Sequence, residues 1–328
     1  MVSHRYALVT GTLFALAAGL LWGLVFVAPL LLADYPAPLL SVARYLAFGL
    51  IALPLAWLDR ARLAELTRAD WREALWLSAI GNLLYYLCLA AAIQRAGAPL
   101  PTMIIGTLPV VIALVSNRRD AHRDGRLPWR RLAPSLLLIG LGIALVNQAE
   151  LAALRTGDAD LGRYALGALL AVGAVACWTW YPIRNADWLR AHPGRSPRTW
   201  ATAQGLATLP LAAAGMLAWN AWSFATRQPF ALPFGPTPGL FIGLMLAIGL
   251  LASWVGTLCW NEASQRLPTT LAGQLIVFET LSALAYAFAL RREVPAPGTL
   301  AGIGLLVVGV VWALRARPEP LAAEAPAH

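Results

Sequence analysis

The chain has 328 residues, of which 59% are hydrophobic and 12% are charged. Soluble domains carry roughly 25% charged residues, and a soluble core cannot hide this much apolar surface from water. The composition therefore excludes a soluble enzyme, a nucleic-acid-binding module and a disordered chain, and it predicts an integral membrane protein in contact with a lipid bilayer. The net charge of +9 does not indicate nucleic acid, because the basic residues lie in short segments between apolar runs.

A transmembrane helix needs about 20 apolar residues. Stretches of about this length recur along the whole chain and predict an all-α integral membrane protein with ten transmembrane helices. The three cysteines fall inside these stretches, so we expect them to be small packing residues rather than metal ligands, and no cofactor is expected. The predicted spans cover residues 7–33, 39–58, 74–95, 98–116, 132–149, 163–184, 199–221, 237–260, 269–290 and 298–314.

The distribution of arginine predicts the orientation of these spans. The chain contains no lysine, and with a cytoplasmic N-terminus 18 arginines fall in cytoplasmic segments, 6 in outer segments and one, Arg44, within the second span. This bias is the positive-inside signal, so we expect a multi-pass protein of the plasma (inner) membrane with both termini in the cytoplasm. The tail, residues 315–328, is rich in Pro, Ala and Glu without apolar periodicity and is expected to be disordered.

Short sequence matches indicate an internal repeat. Ala92-Ile93-Gln94-Arg95 recurs 171 residues later as Ala263-Ser264-Gln265-Arg266, and the segment ending at Trp22 matches the segment ending at Trp178 at an offset of 156. Residues 1–150 and 151–314 then hold five spans each. Because five is odd, the second copy enters the membrane in the opposite orientation. Inverted repeats of this kind build carriers with one central site and two alternative openings.

The predicted spans carry several short motifs, which are Leu21-Trp22-Gly23-x-x-Phe26, Ala43-Arg44-Tyr45, Thr107-Leu108-Pro109-Val110, Ala176-Cys177-Trp178-x-x-Tyr181, Phe278-Glu279, and Arg292-Glu293 followed by Gly302-x-x-Leu305-x-x-x-Gly309. Through these motifs, residues 8–314 resemble the drug/metabolite transporter (DMT) superfamily, EamA type. The resemblance implies two EamA-like five-helix repeats and a transport function. Pro29 stands where these proteins often have Lys. Thr280 stands where a Pro usually follows the ninth-span Glu, which implies a straighter ninth helix. The pair Trp260-Asn261 is similar to the YddG-type amino-acid exporters of the superfamily.

Polar and aromatic side chains within the spans are the candidates for a substrate site, because backbone groups in lipid satisfy one another. Amides and hydroxyls among aromatic rings suit a small zwitterion or an aromatic side chain. The three tryptophans in this set are equally compatible with packing, and Ser253, Thr257 and Ser282 favour helix packing over binding. The candidate substrate-binding residues are Trp22, Asn82, Tyr85, Tyr86, Trp178, Tyr181, Trp260, Asn261, Gln274 and Phe278.

Charged residues within the spans leave the coupling open. Glu279 is the one acid deep within a span, and it is either a protonatable coupling carboxylate or a structural acid paired with a residue such as Arg44. Arg44 itself could instead extend to the outer surface. Passive facilitated movement and proton exchange therefore remain alternatives.

Together these features predict a secondary transporter that exports small organic metabolites, foremost amino acids including aromatic ones, by alternating access. The alternatives are a proton-coupled exporter of drugs or other metabolites and, from a different class, an intramembrane enzyme or a channel. An enzyme is disfavoured because all four histidines lie outside the spans and no His-Glu-x-x-His motif is present. A channel is disfavoured because rings of charge are absent from the spans. The sequence leaves the oligomeric state open.

Overall fold

The computed structural model describes residues 2–32, 34–96, 101, 104–119, 128–146, 148, 161–292 and 294–315, and within them every regular element is helical. The predicted all-α class is therefore confirmed. The helices are α1 (Val2–Gly23), α2 (Val27–Leu31), α3 (Ala37–Leu58), α4 (Arg60–Leu63), α5 (Arg68–Trp76), α6 (Tyr85–Ala96), α7 (Leu108–Arg119), α8 (Trp129–Val146), α9 (Leu161–Ala191), α10 (Pro197–Ala225), α11 (Pro238–Ile248), α12 (Gly256–Arg266), α13 (Thr269–Leu275), α14 (Val277–Arg291) and α15 (Pro297–Arg315).

Six helical stretches in the described part of the chain are long and apolar enough to cross a membrane. Another helix, Pro297–Gly309, is apolar but shorter. The predicted breaks near residues 97–100 and 150, and the tail beyond Arg315, lie outside the described residues. The six stretches are Tyr6–Gly23, Ala37–Leu58, Gly162–Ala191, Pro197–Ala225, Pro238–Arg266 and Thr269–Leu290.

Small residues allow the helices to approach closely where the two halves of the chain meet. A Cβ added to Gly49 of α3 would lie 2.6 Å from Cβ of Leu209, and one added to Gly205 of α10 would lie 2.7 Å from Cβ of Ala52. In lipid, helices associate through such close packing rather than through the hydrophobic effect. The α3–α10 contact consequently excludes larger side chains at both glycines.

Two π-helical segments interrupt otherwise α-helical rods. Leu77–Leu84 joins α5 to α6, and Gly249–Val255 joins α11 to α12. A π-helical turn widens the helix and shifts the direction of the side chains that follow it. The spans predicted over residues 74–95 and 237–260 are therefore not α-helical throughout, and Asn82 and Ser253 each lie in one of these π-helical segments.

The helix of the predicted ninth span contains a single turn residue. Helix α13 ends at Leu275, Ile276 forms a turn, and α14 begins at Val277. Because the backbone angles of Ile276 are those of a right-handed helix, Thr269–Leu290 forms one helical stretch, and its expected straightness at Thr280 stays a prediction.

One end of the bundle, which we call the arginine-rich end, collects the connections at residues 59–67, 191–196 and 267–268. Ion pairs there join the two halves of the chain, with Arg184 Nε 2.6 Å from Glu73 Oε1. Further pairs link Asp59 with Arg198, Glu65 with Arg195 and Arg119 with Asp187. Helix α9 runs seven residues beyond its predicted end at residue 184 because its polar last turns make these contacts.

An aromatic residue holds the opposite end, which we call the Tyr35 end. The Tyr35 hydroxyl donates to the carbonyl oxygen of Phe234 at 2.8 Å and accepts from the backbone N–H of Thr237 at 2.9 Å. Its ring stacks on Phe241 with centroids 4.9 Å apart. The connection after α2 and the connection before α11 are thus fixed to each other.

Asp70 provides a test of the arginine-rich end. Its carboxylate accepts from the backbone N–H and hydroxyl of Thr67, both at 2.8 Å, and from Trp188 Nε1 at 2.9 Å. Burial acts to raise the pKa of Asp70, but these hydrogen bonds outweigh burial and hold the pKa below its usual value. The ionised form is therefore favoured by folding, and its contribution is complete above the unfolded-state pKa and lost as pH falls through the folded-state pKa.

We expect Asp70→Asn to lower the melting temperature in detergent at neutral pH, consistent with a loss of about 1–2 kcal/mol for a capping and charge-assisted hydrogen bond. The difference from the wild type should shrink as pH is lowered toward 3. The control Glu65→Gln removes a carboxylate whose side chain is 63% exposed and should change little. A pH-independent difference between Asp70→Asn and the wild type would contradict this assignment.

Candidate functional site

Four helices bring a cluster of aromatic rings together, which we call the aromatic cluster. It consists of Trp22 on α1, Tyr85 on α6, Trp178 and Tyr181 on α9, and Trp260 on α12. Trp22 lies at the centre, with ring centroids 5.1 Å from Trp178 and 5.3 Å from Trp260. Trp178 in turn makes edge contacts with Tyr85 at 5.6 Å and with Tyr181 at 5.2 Å. Five of the predicted site residues therefore meet at one place.

Two glycines leave the space that rings of the aromatic cluster occupy. A Cβ added to Gly256 would lie 2.8 Å from Trp22 Nε1, and one added to Gly81 would lie 2.2 Å from the Tyr181 ring. Larger side chains at either position would displace the rings, so the rings occupy space that only a glycine leaves open.

Two predicted site residues carry buried polar atoms without a hydrogen-bond partner among the described residues. These atoms are Nε1 of Trp260 and Oε1 of Gln274, in side chains that are 2% and 1% exposed. Buried polar groups are nearly always hydrogen-bonded, and leaving one unpaired costs about 1–3 kcal/mol. Trp260 thus offers an unpaired donor within the aromatic cluster, and Gln274 offers an unpaired acceptor on α13.

Asn82 and Tyr86 stand beside the aromatic cluster. Asn82 is half-buried in the first π-helical segment, and its amide makes no hydrogen bond to a described residue. Tyr86 is half-buried next to Tyr85, and its ring lies 5.9 Å from the guanidinium carbon of Arg44. Both side chains remain available for contacts with a bound molecule.

Asn261, in contrast, uses its amide within the protein. Its Oδ1 accepts from Asn185 Nδ2 at 2.9 Å, and its Nδ2 donates to the carbonyl oxygen of Pro197 at 3.3 Å. Asn185 Oδ1 accepts from Gln204 Nε2 at 3.1 Å, and Gln204 Oε1 accepts from the Tyr181 hydroxyl at 2.9 Å. A chain of hydrogen bonds therefore connects Asn261 to Tyr181 and leaves only the Tyr181 ring for a ligand.

Phe278 and Glu279 approach the aromatic cluster through the packing of α14 on α1. A Cβ added to Gly19 would lie 3.0 Å from the backbone nitrogen of Glu279 and 3.2 Å from Cβ of Phe278. Gly19 precedes Trp22 by one helical turn, so the acid lies about one turn from the centre of the aromatic cluster. Glu279 also interacts electrostatically with Tyr85 and with Arg44.

Sequence reasoning missed the position of Arg44, for which it considered an extension to the outer surface. The residue is instead buried, with 7% of its surface exposed, and its Nε donates to Ser253 Oγ at 3.0 Å. The signal that could have revealed this arrangement is the match of Asn82 and Ser253 at the repeat offset of 171, which places Ser253 at the level of a predicted site residue.

Comparisons with known proteins also indicate a membrane transporter. Residues 9–118 match the EamA-like transporter family. The chain is 56% identical over 314 residues to the inner membrane protein YtfF of Escherichia coli (strain K12), covering 95% of this chain and 97% of that protein. It is 23% identical over 320 residues to the uncharacterized transporter YwfM of Bacillus subtilis (strain 168), covering 96% and 97% of the two chains.

The fold is also shared with a solved protein. A crystal structure that is 20% identical in sequence superposes with a TM-score of 0.67 and covers 92% of this chain and 96% of its own. The extent of the match to YtfF, together with the family match in the first half, determines the family. The chain belongs to the EamA type of the drug/metabolite transporter superfamily, a family of membrane transporters.

Proposed function

We propose that the protein is a secondary transporter that exports amino acids, including aromatic ones, across the inner membrane by alternating access around the aromatic cluster. The observation that carries the proposal is the unsatisfied buried N–H of Trp260, whose ring contacts Trp22 within the aromatic cluster. The buried amide oxygen of Gln274 on α13 is unsatisfied as well. Tryptophan and tyrosine rings stack on apolar or aromatic side chains, while the indole N–H and the amide oxygen supply a donor and an acceptor.

The proposal includes ten membrane crossings arranged as two inverted repeats, residues 1–150 and 151–314. Support comes from the packing partners of the helices. Helix α1 packs on α12, and α6 packs on α9. Since α1 is equivalent to α9 and α6 is equivalent to α12, interchanging the two halves converts the first pair into the second. The pairs α3–α10 and α8–α15 each combine a helix with its own equivalent, and α7 packs on α13, which precedes α14, the equivalent of α7. A pseudo-two-fold axis between the halves would produce this pattern.

Local features support the same correspondence. Gly49 and Gly205 are 156 residues apart, and each is the close-contact glycine of its own helix in the α3–α10 pair. The two π-helical segments, Leu77–Leu84 and Gly249–Val255, fall at matching positions when the offset is 171. Backbone irregularity at equivalent positions of two repeats is typical of transporter binding sites.

Departures from symmetry fit one state of an alternating-access cycle. Helix α1 packs closely on α14, whereas the equivalent contact of α9 with α7 is smaller. In an inverted-repeat carrier, interchange of the two arrangements opens the site to the other side. The ion pairs between the halves at the arginine-rich end, such as Glu73–Arg184, would separate when that end opens.

The proposed orientation places the arginine-rich end and both termini in the cytoplasm. The described connections that the arginine count assigns to the cytoplasm, at residues 59–67, 191–196 and 267–268, meet at this end. The connections after α2 and before α11, which the count assigns to the outside, meet at the Tyr35 end. The positive-inside rule then favours this orientation over its reverse. The Escherichia coli relative is named as an inner membrane protein, which supports a location of this chain in the inner membrane.

We expect the purified protein in liposomes to transport labelled L-phenylalanine with saturation, and Asn82→Ala and Gln274→Leu to lower the transport rate about 10-fold or more, since each removes a polar contact with the substrate. The control Gln228→Ala removes an exposed amide that donates to the Thr226 hydroxyl, and it should retain transport. Absence of amino-acid flux in the wild type would reject the proposed substrate class.

A proton-coupled exporter is the second candidate, and Glu279 is the residue that favours it. This acid lies within a candidate span and interacts electrostatically with Arg44 and Tyr85. If Glu279 carries the coupled proton, an imposed pH gradient will drive L-phenylalanine uptake by the wild type, and Glu279→Gln will abolish this drive while exchange of internal for external substrate persists. The control Glu65→Gln should respond to the gradient like the wild type. Transport that ignores the gradient in all three proteins would identify a facilitator.

A further inference from the structure

Arg44 is a charged residue inside the protein that the proposed site does not yet use. It is the eighth residue of α3, about 10 Å along the helix from the Tyr35 end at 1.5 Å per residue. Only 7% of the residue is exposed. A charge in such a position is costly, and within membrane helices it marks a functional interaction.

One edge of the Arg44 guanidinium is hydrogen-bonded, and two tyrosine rings lie near the group. Its Nε donates to Ser253 Oγ at 3.0 Å, and its guanidinium carbon lies 4.9 Å from the Tyr45 ring centroid and 5.9 Å from that of Tyr86. The two terminal amino groups make no hydrogen bond to any described residue. Arg44 thus presents a held, planar pair of donors, the geometry that binds a carboxylate through two parallel bonds.

Glu279 supplies an opposite charge but does not neutralise Arg44 directly. The two side chains interact electrostatically, yet no ion pair within 4.0 Å joins them in the described structure. Helix α1 holds the backbone of Glu279 through Gly19, and Ser253 holds Arg44. The protein therefore keeps two opposite charges apart near the aromatic cluster, although direct pairing would reduce the cost of burying both.

We propose that Arg44 binds the carboxylate of the transported substrate and determines its specificity for zwitterions, with Glu279 facing the ammonium group. This inference rests on the proposed function and adds the residue that recognises the substrate's charge. A molecule with only a carboxylate would leave Glu279 unpaired, and one with only an ammonium group would leave Arg44 unpaired. A zwitterion with adjacent charges satisfies both and leaves its side chain for the aromatic rings.

Phosphorylated substrates fit this arrangement less well. A phosphate carries up to two negative charges and is bound by clusters of cations. Here a single arginine stands near a carboxylate, which would repel the second charge. The geometry consequently favours a singly charged anion group joined to a cation.

The test uses binding of labelled L-phenylalanine to the full-length protein in detergent, with competition by two analogues. Phenethylamine lacks the carboxylate, and 3-phenylpropanoate lacks the ammonium group. We expect the wild type to prefer L-phenylalanine over phenethylamine by about 10-fold or more, as a lost charge-assisted hydrogen bond predicts. In Arg44→Gln this preference should fall to within about twofold, because the carboxylate of L-phenylalanine then has no charged partner and gives no advantage over phenethylamine.

Two further variants separate the outcomes. Ser253→Ala releases Arg44 Nε and should reduce the preference about threefold without removing it, and it replaces Arg44→Gln as the decisive variant if the latter does not fold. Arg72→Gln removes an exposed arginine of α5 and should retain the wild-type preference. An undiminished preference in Arg44→Gln, or in Ser253→Ala where the former does not fold, would overturn the role of Arg44 while amino-acid binding stood. Failure of the wild type to bind any of the three compounds would overturn the proposed function and this inference together.

Discussion

Lipid offers no hydrogen-bond partners, and this constraint governs which polar groups the protein can bury. Most buried polar side chains satisfy it internally, as in the chain of bonds from Asn261 through Asn185 to Gln204. Among the described residues, seven buried side-chain atoms do not, and two of these, Trp260 Nε1 and Gln274 Oε1, belong to predicted site residues. A substrate that hydrogen-bonds to these two atoms would gain binding energy, because the protein already bears the free-energy cost of burying them unpaired.

The two ends of the bundle are held together by different interactions, and this difference fits the proposed cycle, in which each end would open in turn. At the arginine-rich end, pairs such as Glu73–Arg184 are partly exposed, with 51% of the arginine side chain accessible. Exposed ion pairs contribute little net stability, so they can separate and re-form at small cost. At the Tyr35 end, stacking on Phe241 and two hydrogen bonds hold the connections together.

Much of the fold follows from the sequence because lipid imposes long apolar helices whose ends are marked by arginine and proline. The aromatic members of the site were also predictable, since Trp22 and Trp178 fall in matching repeat motifs. The sequence could not reveal the π-helical segments that contain Asn82 and Ser253, because a wider turn leaves no mark in hydropathy. Nor could it reveal that Arg44 bonds Ser253, because that contact spans 209 residues.

The most direct test of a central site with two openings is the accessibility of position 82 from each side of the membrane. The free cysteines Cys88, Cys177 and Cys259 would first be replaced, and Asn82→Cys would then be labelled in oriented vesicles with impermeant thiol reagents. We expect labelling from both sides, with L-phenylalanine slowing both reactions, because one site opens alternately to each side. Labelling from one side only, at a rate that substrate leaves unchanged, would contradict alternating access at this site.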